Sequence, residues 1–67
     1  MTPEKKAIDI FSKYMPDLVN ELGLTDETYE LNKKFALIAV NFAKENPLNT
    51  NGYNYYLDEV TIEIEKL

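Results

Sequence analysis

The chain has 67 residues and a formal net charge of −5, from seven basic and twelve acidic side chains, and it contains neither cysteine nor histidine. This composition excludes disulfides, thiol nucleophiles and imidazole-based catalysis, and the acidic balance disfavours nucleic-acid binding. A chain of this length has one small core, so we expect a single domain over residues 1–67 and a monomer of marginal stability. No apolar run is long enough for a signal peptide or a membrane span, which predicts a soluble protein.

The first predicted helix begins at Thr2 and Pro3, which are typical of an N-cap and the first helical position. Gly23 is typical of the residue that ends a helix. Between them, apolar residues recur every three or four positions, at Ile8, Phe11, Met15, Leu18, Val19 and Leu22. Pro16 removes a helical N–H and biases the preceding residue away from helical geometry. We therefore expect this helix to be kinked, or split into two short helices, at Pro16.

The second predicted helix has Thr25 as its cap and runs from Asp26 to about Glu45, before Asn46 and Pro47 end it. Four large apolar residues share a narrow arc of this helix: Leu31, Phe35, Ile38 and Phe42. Smaller apolar residues widen the surface well beyond that arc: Ala36, Ala39, Val40 and Ala43. We therefore expect the second helix to be flanked on two sides.

The last segment follows a turn-like stretch at residues 49–52 and extends from Tyr53 to Leu67. Residues 60–65 alternate as in a strand, but a lone strand would have no partner, so we predict a helix. One face of that helix is apolar, with Tyr53, Tyr56, Leu57, Val60, Ile64 and Leu67. Tyr55 and Ile62 project from the far side. Together these elements predict an all-α fold, a small three-helix bundle.

The segment between the second and third helices resembles part of a calcium-binding loop. Asn49, Asn51, Gly52 and Asp58 match some of the ligand and glycine positions of a helix–loop–helix site. Pro47 falls at the first ligand position and offers no side-chain oxygen. A plain loop between helices is therefore the preferred interpretation, and no metal is predicted.

Catalysis is not predicted from the carboxylates of the last helix. Glu59 and Glu63 share a face four residues apart, as an acid–base pair would. No nucleophile–base pair, glycine-rich phosphate loop or metal-ligand cluster accompanies them. We predict a protein that is not an enzyme and needs no cofactor.

Two kinds of binding site remain open from the residues alone. Tyr55 and Ile62, with Glu59 between them, form a candidate hot spot for a protein partner or for a second copy of the chain. The alternative is a nucleotide site in an oligomer, in which Tyr53 or Tyr55 stacks a base and Lys33 or Lys34 meets phosphate. A third reading, an acidic mimic of DNA, ranks last because lysines are mixed with the acids.

A resemblance to a group of proteins rests on three segments, residues 1–3, 36–40 and 56–67. The start Met-Thr-Pro, the Ala-Leu-Ile-Ala-Val sequence and a tail ending Glu-Ile-Glu-Lys-Leu are similar to short uncharacterised proteins of phages and prophages of Bacteroidetes and related bacteria. Leu57, Phe35 and Ile62 stand where tryptophan, cysteine and a polar residue are common in that group. The segment 8–32 matches least.

The resemblance implies a genomic setting and no particular chemistry. It implies a small accessory protein in the cytoplasm of a bacterial host. Proteins of that kind often act by binding, either blocking a host or defence protein or sequestering a nucleotide signal in an oligomer. Isoleucine at position 62, in place of a polar residue, enlarges the apolar surface of the last helix. We therefore predict a self-associating helical module that binds a protein.

Overall fold

The computed structural model describes all 67 residues and contains three helices and no strand. They are α1 (Pro3–Leu22), α2 (Asp26–Lys44) and α3 (Asn51–Lys66). The predicted all-α, three-helix architecture is confirmed, and the strand alternative for the last segment is wrong. The bundle measures 38 × 20 × 16 Å, and its radius of gyration of 12.5 Å exceeds the roughly 10.9 Å of a compact domain of this length. It is therefore elongated.

Threonine caps begin all three helices. The hydroxyls of Thr2, Thr25 and Thr50 each accept a hydrogen bond from the backbone N–H three residues later, at 3.3, 3.1 and 3.1 Å. The first two caps were predicted and the third was missed, so α3 begins two residues earlier than expected. At the end of α1, Gly23 has a φ of 81°, and its N–H donates to the Val19 carbonyl at 2.8 Å.

α1 is one continuous helix, with Pro16 in its interior. The predicted split into two helices is wrong, and no kink is shown. Proline deprives only the Ser12 carbonyl of its helical donor, and Ser12 is exposed, so that carbonyl lies at the solvent side of α1. Packing of the opposite face against α2 and α3 outweighs this local loss.

The core consists of six apolar side chains, half of them from α3. Leu57, Val60 and Ile64 are buried as the helical pattern predicted, with Ala7 from α1 and Ala36 and Val40 from α2. Tyr53, predicted to join them, is 44% exposed because it lies in the first turn of α3. Ile8 and Leu22 of the α1 stripe are also exposed. The core is smaller than the sequence pattern suggested.

α2 turns its small side chains inward and its large ones outward. Its buried residues lie four apart: Thr28, Asn32, Ala36 and Val40. Phe35, Ile38 and Phe42 of the large apolar arc are exposed. α1 and α3 both pack against α2, so the expectation that α2 is flanked on two sides is confirmed, but together they cover only one arc of it and leave these large side chains outside. Small residues on that arc let α1 approach until Asn32 Nδ2 donates to the Phe11 carbonyl at 2.7 Å.

Polar contacts fix the alignment of the helices along the bundle. The Tyr29 hydroxyl donates to the Leu67 carbonyl at one end. Lys44 and Asp58 form an ion pair near the other end, where the Tyr56 hydroxyl also donates to the Met1 carbonyl at 2.9 Å. None of the three helices combines the length and apolar character that crossing a bilayer requires.

Candidate binding surfaces

The outer face of α3 carries the residues that the sequence singled out for partner binding. Tyr55 is 72% exposed, Ile62 is 52% exposed, and the exposed Glu59 lies between them. Seven residues of helix separate the two apolar side chains by about 10.5 Å along the axis. We call these three residues the α3 stripe. It points away from Leu57, Val60 and Ile64 in the core.

Carboxylates surround the Ile62 end of the α3 stripe. Ile62 lines a shallow cleft between the start of α1 and α3, together with Glu4, Glu59 and Glu63. Glu63 is partly neutralised by Lys66, whose Nζ donates to its Oε1 at 3.1 Å. The other two carboxylates form no ion pair within the chain. This end of the stripe therefore favours an apolar ligand group flanked by positive charge.

The Tyr55 end of the α3 stripe has a different environment. Tyr55 lines a separate shallow depression with Asn51, Asn54 and Asp58. Asp58 is engaged by Lys44 of α2, so its charge is compensated within the chain. The exposed tyrosine ring offers a flat apolar face with a polar tip, beside side chains that can donate and accept hydrogen bonds.

The four residues of the alternative nucleotide site are not brought together in one chain. Lys33 and Lys34 lie one turn after Tyr29, the residue that reaches Leu67 at the end of α3. Tyr55 lies twelve residues before Leu67, about 18 Å along the helix. The lysines, near the middle of α2, are therefore about 11 Å from the level of Tyr55 along the bundle, and neither depression that Tyr53 or Tyr55 lines includes them.

A different basic residue lies beside the tyrosines at the start of α3. Tyr53 and Tyr56 stack with their ring centroids 6.1 Å apart and their planes at 18°. Met1 and Lys6 line the same shallow depression. This group was not predicted, because Lys6 and Tyr53 are far apart in the chain. Only the antiparallel order of the helices, which returns α3 to the start of α1, brings them together.

The most apolar concave surface lies between α1 and α2, and it was not predicted as a site. Five residues line this groove of about 430 Å³: Tyr14, Phe35, Ile38, Ala39 and Phe42. None of them is charged. Phe42 is 78% exposed, and Phe35, Ile38 and Tyr14 are each exposed by two-fifths or more. We call this surface the α2 groove. The signal that could have revealed it was a second apolar face on α2 without a fourth helix to cover it.

The partial resemblance to a calcium loop has no counterpart in the structure. Asn51, Gly52 and Asp58 all belong to α3, so the segment is helical where a loop would be needed. Asn49 instead donates from Nδ2 to the Ala43 carbonyl at 2.7 Å and so supports the turn between α2 and α3. No group of three or more acidic side chains is placed to hold a metal ion.

No family model, no curated protein and no solved structure matches this chain.

Proposed function

We propose that this protein acts by binding and not by catalysis, as a self-associating helical module that blocks a protein of a bacterial host. The observation that carries the proposal is the amount of apolar side chain outside the core. Twelve large apolar residues are between 41% and 88% exposed, whereas only six apolar residues are buried. Scattered exposed apolar residues are ordinary, but the α2 groove gathers several of them into one surface. Surfaces of this kind mark interaction sites.

The α3 stripe is the proposed contact for the host protein. Its exposed Tyr55 and Ile62 provide apolar anchors, and Glu59 with its neighbour Glu4 provides negative charge. The expected partner surface therefore presents an apolar pocket or groove with lysine or arginine at its rim. The proposed location in the bacterial cytoplasm is based on the sequence resemblance to phage and prophage proteins. The proposed blocking of a host or defence protein has the same basis, since small accessory proteins of phages often act in that way.

The proposal is tested by comparing the proteins captured by matched variants. The tagged chain and two variants, Tyr55→Ser and Ile62→Glu, are used to capture proteins from a bacterial extract, and the candidate is then purified and titrated calorimetrically. The control is Leu48→Ser, which changes an even more exposed apolar residue in the loop between α2 and α3. We expect one protein to bind the parent chain and the control, with affinity reduced at least about thirtyfold by either α3 variant.

Two results would count against the proposal. The first is a purified candidate that binds the parent chain, both α3 variants and the control with the same affinity, which would mean that the α3 stripe is not the contact. The second is loss of binding by Leu48→Ser together with the α3 variants, which would indicate adhesion of exposed apolar side chains in general. Circular dichroism of each variant confirms that the helices are retained.

A further inference from the structure

The four residues that α2 contributes to the α2 groove are spaced symmetrically about the midpoint between positions 38 and 39. Phe35 and Phe42 lie at the two ends, and Ile38 and Ala39 lie side by side at the centre. In an antiparallel pair of such helices, Phe35 of each copy lies opposite Phe42 of the other. At the centre, Ile38 lies beside Ile38 of the other copy on one edge, and the small Ala39 lies beside Ala39 on the other edge, where it lets the two backbones approach closely. The groove is therefore complementary to itself under a two-fold axis.

Charges beside the groove fit the same arrangement. Lys34 and Glu45 are both exposed, and neither forms an ion pair within the chain. They project within about 20° of each other around the helix axis, on the outer edge of the apolar residues. Antiparallel pairing brings this edge of one copy against the same edge of the other. Along the helix axis, Lys34 of one copy and Glu45 of the other are then offset by only about 3 Å. Their long side chains easily span this offset. Two such pairs form per dimer.

The area available is compatible with a small, specific dimer. From their exposed fractions, Tyr14, Phe35, Ile38 and Phe42 together present on the order of 400 Å². A stable interface buries about 600 Å² or more on each partner, so the apolar area and a rim that includes Lys34 and Glu45 reach the lower end of that range. The total accessible surface of 4852 Å² also exceeds the roughly 4,400 Å² expected for a compact monomer of 7.8 kDa.

We propose that the occupant of the α2 groove is the α2 helix of a second copy, in an antiparallel homodimer whose two-fold axis passes between Ile38 and Ala39. This inference rests on the proposed self-association and identifies the surface that performs it. The α3 stripe, which the sequence offered for either role, is left free for the host protein. Each dimer then presents two α3 stripes, and a partner with two sites would be bound with avidity.

The dimer is tested by sedimentation equilibrium on the full chain, with variants that do not touch the core. Phe42→Glu places a carboxylate in the interface, and we expect it to raise the dimer Kd at least about thirtyfold. Lys34→Glu alone and Glu45→Lys alone should each weaken the dimer about three- to tenfold, since each creates two like-charged pairs. The double variant should restore the parent Kd to within about twofold, because antiparallel pairing places position 34 of one copy beside position 45 of the other. Ile62→Glu is the control and should leave the dimer unchanged.

The remaining outcomes would overturn either the inference or the proposed function, and they show which of the two fails. If Ile62→Glu abolishes the dimer and Phe42→Glu does not, self-association uses the α3 stripe, and the proposed binding function stands. If the chain is a monomer at near-millimolar concentration and Phe42→Glu prevents capture of the purified host protein, the groove holds that protein instead. A double charge variant that remains as weak as the single ones excludes the antiparallel arrangement. A dimer that follows all the expectations but captures no host protein supports the inference and removes the proposed blocking role.

Discussion

Two polar side chains are buried in the bundle, and they differ in how well their hydrogen-bonding groups are satisfied. The Thr28 hydroxyl donates to the Gly23 carbonyl at 2.7 Å and lies 3.0 Å from the Thr25 hydroxyl. Asn32 is fully buried, and its Nδ2 donates to the Phe11 carbonyl, but its Oδ1 has no partner. A buried carbonyl oxygen without a donor costs about 1–3 kcal/mol. Asn32 is therefore the least well satisfied residue of the core.

We expect Asn32→Leu to raise the free energy of unfolding by about 1–2 kcal/mol. Leucine has nearly the same shape, removes the unpartnered oxygen and adds apolar contacts, while the Phe11 carbonyl can still accept its bond within α1. Asn32→Asp should lower the stability by several kcal/mol, because it buries a carboxylate against the same carbonyl. Urea unfolding measures both. Equal destabilisation by the two variants would show that the Asn32 hydrogen bond contributes more than its unpartnered oxygen costs.

At the scale of a helix, α1 keeps its helical path through Pro16 despite the missing backbone donor. Pro16 is exposed, so its ring makes no contribution to the core. Pro16→Ala should therefore stabilise the protein by about 2 kcal/mol, since it restores a donor for the Ser12 carbonyl and raises the helix propensity. Thermal unfolding followed by circular dichroism measures the change. Pro47→Ala is the control, because Pro47 lies in a turn, where losing proline gives no gain.

The two faces of α3 predict opposite responses to a new carboxylate. Val60 is fully buried, so Val60→Asp puts an unpaired charge into a six-residue apolar core and should unfold the protein. Ile62 is half exposed, so Ile62→Glu should change the stability by no more than about 0.5 kcal/mol. Far-ultraviolet circular dichroism distinguishes the two. Loss of helix in both variants would mean that the outer face of α3 is also buried in solution.

The helices were easier to predict than the side of each helix that is buried. Thr2, Thr25 and Gly23 are local signals, and the structure uses each of them where the sequence placed it. The burial of Val60 also followed from periodicity. The exposure of Phe42 did not follow from periodicity, because α2 has two apolar faces and the local pattern does not show which of them meets α1. That choice depends on how closely two backbones approach, a property of the assembled bundle that no single helix encodes.

The candidate surfaces differ in the same way: some follow from the local sequence pattern, and others depend on how the helices pack together. The exposure of Tyr55 and Ile62 could be predicted from the helical wheel, because α3 has one continuous apolar face opposite them. The separation of Lys33 and Lys34 from the tyrosines could not, since it depends on the antiparallel order of α2 and α3. The α2 groove lay in residues that the sequence had assigned to a covered surface, so it emerged only with the structure.

At the scale of the whole molecule, the bundle is long and thin, and much of its apolar side-chain surface lies outside its core. A bundle of 67 residues has a small free energy of unfolding, and a core of only six apolar side chains lowers it further. Covering Phe35, Ile38 and Phe42 in a dimer extends the apolar interior beyond one chain. Association and folding stability are then coupled, because the dimer stabilises only the folded state.

This coupling predicts that the midpoint of thermal unfolding, Tm, depends on protein concentration. Raising the concentration from near the dimer Kd to about a hundred times that value should raise Tm by about 5–10 °C. Phe42→Glu should unfold at a Tm that is independent of concentration, close to the value of the parent chain at high dilution. Phe42 is 78% exposed in the single chain, so the variant leaves the monomer intact. A parent chain whose Tm does not change over this range would show that each bundle is stable alone and that the α2 groove stays uncovered.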